Sequence, residues 1–155
     1  MLQDSGNRRE FETGAVRDMA EGKGRCDLLP LDVIAQHMGD PVLAQIHFFM
    51  ENREQHSNLW TALVYFAQNA WDMENATRKQ RLSNMILEVS KHFEDGALKY
   101  GDRNWEKGLP IYSFIDSAIR HYLKYLRGDT DEPHDRAFVW NILCCIWTLK
   151  HHPEL

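Results

Sequence analysis

Glu88, His92, Asp95 and Lys99 recur at i, i+4, i+7 and i+11, which sets two carboxylates, an imidazole and an amine along one stripe of a helix. Such a row has the chemistry to hold a metal ion or a phosphate. The plainer alternative is a chain of helical ion pairs, each contributing roughly 0.2–0.5 kcal/mol. The following loop, DRNWEKGLP over 102–110, adds the cations Arg103 and Lys107, the amide Asn104 and the indole Trp105. An indole among charges either stacks on a flat base while the cations take phosphates, or anchors the loop to the core. Composition leaves both open. Two further groupings follow. Asp116 and Arg120 stand one turn apart beside His121, and Asp131, Glu132, His134 and Asp135 crowd the turn GDTDEPH. Acidic residues there also suit a helix N-terminus, and a histidine at the border of an apolar face is commonly a hydrogen-bonded core residue.

Helices are the elements that must position these groups. Leu82, Met85, Ile86, Val89 and Phe93 repeat at three- and four-residue steps up to a stop at Gly101. Ile111, Ile115, Ala118, Ile119, Tyr122 and Leu126 do the same up to Gly128. After Pro133 the run Ala137 to Trp147 is nearly all apolar, so this helix is buried and its Asn141, seven residues beyond His134, must find polar partners. Upstream, Val42–Met50 and the stripe Trp60, Leu63, Val64, Ala67, Trp71 read as further helices. No segment alternates with period two long enough to read as a strand. The expectation is an all-α single domain over 1–155, a bundle of about five or six helices, with residues 1–10 flexible and core helices over 82–150. Carboxylates and histidines from facing helices hold divalent ions in such bundles. Glu51 and Glu54 form a weaker pair of the same kind. Gly14, Gly22 and Gly24 alternate with Arg17, Lys23 and Arg25 in what reads as a flexible surface turn; Gly24 follows Lys23 where a P-loop requires Ser or Thr.

The 155 residues make one domain's worth of chain. A net charge of −5 with dispersed basic residues argues against stable nucleic-acid binding. Cys26, Cys144 and Cys145 read as reduced thiols of a cytoplasmic protein, and no signal peptide or membrane span is expected.

FETGAVRD, GKGRCDLLP, HFEDGALKYGDRNWEKGLP, SFIDSAIRHYLKYLRGDTDEPH and the pair Trp140–Asn141 resemble, in order, blocks of the phage and prophage dATP/dGTP diphosphohydrolase family. That family is associated with MazG-type, all-α nucleoside triphosphate pyrophosphohydrolases. The resemblance covers residues 8–31 and 82–150. It implies hydrolysis of a purine dNTP to dNMP and pyrophosphate with Mg2+ or Mn2+, in the cytoplasm, host cytoplasm if phage-encoded, by a homo-oligomer. Motif positions carried over are Lys99, Tyr100, Asn104, Trp105, Arg120, His121, Asp131, His134 and Asn141. Combined with the residue reading, the expected metal shell is Asp116, His121, Asp131 and His134. Glu88, His92 or Asp95 would complete it or act as general base. Lys99, Arg103, Lys107 and Arg120 would hold phosphate oxygens, and Trp105 with Asn104 would meet the base. The chain departs from the pattern in two ways. Residues 32–84 look like an insertion, a lid or a dimer contact, and no ExxD follows the ExxE of Glu51 and Glu54. The alternatives are an HD-type phosphohydrolase, disfavoured because no Asp follows Asp135, and a non-catalytic nucleotide-binding or protein-interaction module.

Overall fold

Helix punctuation read from the sequence sets the long elements of the computed structural model, which describes residues 7–155. The chain runs β1 (Arg8–Glu10), β2 (Val16–Asp18), a 3-10 turn (Cys26–Leu28), α1 (Leu31–Met38), α2 (Pro41–Glu51), α3 (Ser57–Asn69), α4 (Arg78–Tyr100), a 3-10 turn (Asn104–Lys107), α5 (Ile111–Arg127) and α6 (His134–His151). α4 opens on a capping box in which Thr77 and Gln80 each accept the other's backbone N–H. It closes at Gly101, whose φ of 90° a side chain would resist, and Gly128 ends α5 in the same way.

The molecule is all-α apart from one hairpin, in which β1 pairs antiparallel with β2 in the register Arg8↔Asp18, Arg9↔Arg17 and Glu10↔Val16. Strands of three residues are too short to show a period-two pattern. The flexible N-terminus expected over 1–10 falls partly on residues 1–6, outside the described residues, while Arg8–Glu10 are held in the sheet.

α5 and α6 form the centre, with Phe114, Ile119, Phe138 and Ile142 fully buried between them. The segment expected to be an insertion is built into the same core: Leu43, Ile46, Leu59 and Leu63 are fully buried, and Phe66 sits among Tyr122, Tyr125 and Phe138. Glu51 pairs with His47 on α2, and Glu54 lies past the helix end, so the ExxE carboxylates do not share a helix face. Among the described residues, no helix is long and apolar enough to cross a membrane.

Candidate functional site

The hairpin, the second half of α4 and the facing surfaces of α5 and α6 enclose a cleft of about 350 Å³. Among the described residues its lining carries six cations, Arg9, Arg17, Lys23, Lys99, Arg120 and Lys124, against three carboxylates, Asp18, Asp131 and Glu132.

Arg17 lies deepest in this charge balance. Its Nη1 donates to the Ser113 carbonyl at 3.2 Å, and its Nη2 to Ser117 Oγ at 3.1 Å and Asn141 Oδ1 at 3.0 Å. The guanidinium also lies over the rings of Phe114 and Trp140. Every partner is neutral. Arg9 faces it directly across the ladder, and Arg9 Nε is buried with no hydrogen-bond partner. Burial first, and then the Arg9 charge, pull the Arg17 pKa down to about 10, so it remains a cation at neutral pH.

The surrounding side chains hold this arrangement. Asn104 Oδ1 accepts from Val16 N and Asn104 Nδ2 donates to Val16 O, both at 2.9 Å, so one amide acts as an extra strand partner for β2. Asp18 accepts from Lys99 Nζ at 2.7 Å, Tyr100 Oη at 3.0 Å and Arg8 Nη1 at 3.1 Å. Arg120 donates to Asp116 at 2.7 Å and to the carbonyls of Lys23 and Gly24 at 3.2 and 2.7 Å. The other Asp116 oxygen accepts from Cys26 N at 2.7 Å. The glycine-rich turn is therefore tied to α5 through its carbonyls, and it brings Lys23 to the cleft.

A histidine chain adjoins these groups. His134 Nε2 lies 2.7 Å from Asp131 Oδ1, and His134 Nδ1 lies 2.9 Å from His121 Nδ1. The carboxylate draws the His134 proton to Nε2, which leaves its Nδ1 as acceptor and His121 Nδ1–H as donor. Burial, with His134 second, holds the His121 pKa well below its usual value, so the ring is neutral. Donor atoms of His121, Glu132 and His134 all lie within 4.8 Å of one another, and so do those of Asp129, Asp131 and His134. Both sets have the density and donor types of a divalent-cation site.

His92 completes the lining. It is 6 % exposed, and its Nδ1 is buried with no hydrogen-bond partner. Burial, then Arg17 and Arg136, lower its pKa to about 3.

Of the residues expected from the sequence, His92, Lys99, Tyr100, Asn104, Arg120, His121, Asp131 and Asn141 line the cleft, with His134 directly behind His121. Several expectations need correction. The cleft face of α4 runs His92, Gly96, Lys99 and Tyr100, and neither Glu88 nor Asp95 lines the cleft. Glu88 is instead held by Lys91 and Arg136, which lower its pKa in that order. His92 does face the cleft, as a neutral ring. Asp116, with both oxygens committed to Arg120 and Cys26 N, lies outside both clusters of cation ligands. Asn104 spends one donor and one acceptor of its amide on Val16, which makes it a support for β2. Lys107 is exposed and lines no cavity near the site, while Arg103 and Trp105 border a second cavity of about 310 Å³. There Trp105 is held edge-on between Phe93 and Trp147, at 5.7 and 4.9 Å, so it does anchor the loop, and part of the ring still faces a cavity. The sequence reading missed Arg9, Arg17, Asp18, Lys124 and Trp140 as site residues. Signals were available for four of them: the block FETGAVRD contains Arg17 and Asp18, the block SFIDSAIRHYLKYLRGDTDEPH contains Lys124, and the pair Trp140–Asn141 contains Trp140.

Residues 67–155 match the family described as dATP/dGTP diphosphohydrolase, N-terminal. Residues 8–31 lie outside that match, yet their Arg9, Arg17 and Lys23 share one cleft with the matched helices. No curated protein and no solved structure matches the chain.

Replacing Asn104 by Asp removes the donor to Val16 O and sets a carboxylate against that carbonyl. Urea denaturation is expected to show a loss of about 1–3 kcal/mol, whereas a change of a few tenths would mean that the amide does not hold the strand. For His92 the folded pKa of about 3 lies below the ordinary 6.5. The unfolded chain therefore binds the extra proton, and the stability contribution is complete above pH 6.5 and is lost as pH falls towards 3, at about 1.4 kcal/mol per pH unit. His92→Gln is expected to make the pH dependence of unfolding free energy shallower by one proton across that window; an unchanged slope would contradict it.

Proposed function

The chain belongs to the dATP/dGTP diphosphohydrolase family, and we propose that its cleft binds the triphosphate of dATP or dGTP and hydrolyses it to dNMP and pyrophosphate. The observation that carries this reading is the cross-strand pair Arg9↔Arg17, two cations lining one cleft with no carboxylate bound to either among the described residues. Like charges opposite each other in a sheet are unfavourable, by an amount on the order of 0.2–1 kcal/mol. A polyanion seated between them removes that cost and supplies the missing acceptors. Lys23, Lys99, Arg120 and Lys124 extend the same positive surface.

In this mechanism the oxygen of a water molecule attacks the α-phosphorus, and the bond from that phosphorus to the bridging oxygen breaks. Pyrophosphate leaves with the electron pair. The proton passes to a carboxylate beside the cleft, Asp131 or Glu132, and His134 orients Asp131 through Nε2. Arg17 and Arg120 hold the phosphate oxygens, Arg120 being fixed in direction by Asp116. Asn141 holds Arg17 in turn. A divalent ion would be held by His121, Glu132 and His134, with Asp131 adjacent, and when bound would neutralise phosphate charge and acidify water. Two imidazoles beside carboxylates suit Mn2+ better than Mg2+, which prefers an all-oxygen shell.

The test is incubation with dATP and dGTP in ¹⁸O-water with Mn2+ or Mg2+, followed by separation of the products. The expected products are pyrophosphate and ¹⁸O-labelled dNMP, with faster turnover in Mn2+. Release of orthophosphate would overturn attack at the α-phosphorus, and intact nucleotide in both metals would overturn hydrolysis altogether. Arg17→Gln is expected to weaken nucleotide binding roughly 10- to 100-fold, as the loss of charged hydrogen bonds implies; native affinity in that variant would remove Arg17 from the site.

A further inference from the structure

The second cavity adjoins the cationic cleft and shares Gly96, Tyr100, Asn104 and Trp140 with it. The two differ in character. The cleft is walled by six cations and three carboxylates, whereas the second cavity sets the rings of Phe93, Trp105 and Trp140 beside Asp102, Arg103 and Glu106. Those walls are fixed by one another: Phe93 lies 5.7 Å from Trp105 and 6.0 Å from Trp140, and Trp147 holds the far side of Trp105. Trp140 stands between the two, with the Arg17 guanidinium over its ring at 5.8 Å.

Gly96 is the residue that packing does not explain. It sits inside α4, where glycine is among the least favourable residues, and its φ is not positive. A Cβ built there meets no atom within 4 Å. Neither backbone geometry nor a close neighbour demands glycine, so what its missing side chain provides is open space where the two cavities meet.

We infer that the aromatic cavity is the seat of the nucleobase, joined past Gly96 to the cleft that takes the phosphates. The assignment rests on the reading of the cleft as a triphosphate site. A flat heterocycle stacks on such rings whatever its ring substituents, and an aromatic slot continuous with a cationic cleft matches a ligand with one aromatic and one polyanionic end. Asp102 lines the same cavity and places a carboxylate acceptor there for the amino group of adenine or guanine, while Glu106 beside it is paired with Arg103 at 3.3 Å.

The test uses the full chain in three forms, native, Gly96→Ala and Gly96→Leu, each titrated calorimetrically with tripolyphosphate and with α,β-methylene dATP and dGTP. Gly96 borders the cleft as well, so the fold of each form is checked by circular dichroism, and nucleotide affinity is read as a ratio to that of tripolyphosphate, which needs only the cleft. The nucleotide analogues are expected to bind native protein more tightly than tripolyphosphate does. Gly96→Ala is expected to keep most of that advantage, and Gly96→Leu to lose it, a drop of roughly 10- to 100-fold. Native-like nucleotide affinity in Gly96→Leu would overturn the base seat and leave the cleft reading intact. So would native protein that binds the analogues no better than tripolyphosphate. If tripolyphosphate fails to bind native protein, the cleft reading falls, and the base seat falls with it.

Discussion

Two arginines facing each other on a three-residue hairpin are the constraint on which the site depends. Arg9 and Arg17 repel, and the second of them has been drawn away from water towards acceptors that carry no charge. A buried or half-buried cation ordinarily finds a carboxylate. Here Asp18, next to Arg17 on β2, is engaged by Lys99, Tyr100 and Arg8, and Asp116 by Arg120 and Cys26 N. On the proposed reading, the six cations of the cleft meet the phosphates of the nucleotide, and the hairpin is held in place by other contacts.

Those contacts come from the helices. Asn104 takes both backbone groups of Val16, so the 3-10 turn after α4 fixes the height at which Arg17 enters. Asn141, deep in the most apolar helix, finds the partner that its burial demanded in Arg17, and its other amide group goes to Ala137 O. The helices α1 to α3 act at one remove. None of their residues lines either cavity, but they bury the apolar sides of α4 to α6 and so set the separation across which the site is built.

Helical periodicity and glycine stops made the bundle legible, because they are local: Gly101 and Gly128 end α4 and α5 where the stripes stop. About half of the site was legible too. His92, Lys99, His121, Asp131 and Asn141, all named from the sequence, line the cleft; helical spacing ties four of them to a face, and Asp131 lies in the turn before α6. Errors arose where tertiary partners decided the role. Asn104 looked like a base reader, since nothing local reveals that its amide pairs with a strand 88 residues upstream. Asp116 looked like a metal ligand for the same reason. The hairpin was illegible because two strands of three residues carry no pattern, and with it went Arg9 and Arg17, whose importance lies in facing each other.

The most direct measurement of the central claim is side-chain NMR of ¹⁵N-arginine-labelled protein titrated with α,β-methylene dGTP in the presence of Mg2+. If the cross-strand pair receives the phosphates, the Nε–H resonances of Arg9 and Arg17, assigned by single substitution, will move downfield together as each gains a charged acceptor. If the nucleotide binds and both resonances stay in place while those of Arg103 or Arg136 shift, the phosphates sit elsewhere and the account is wrong.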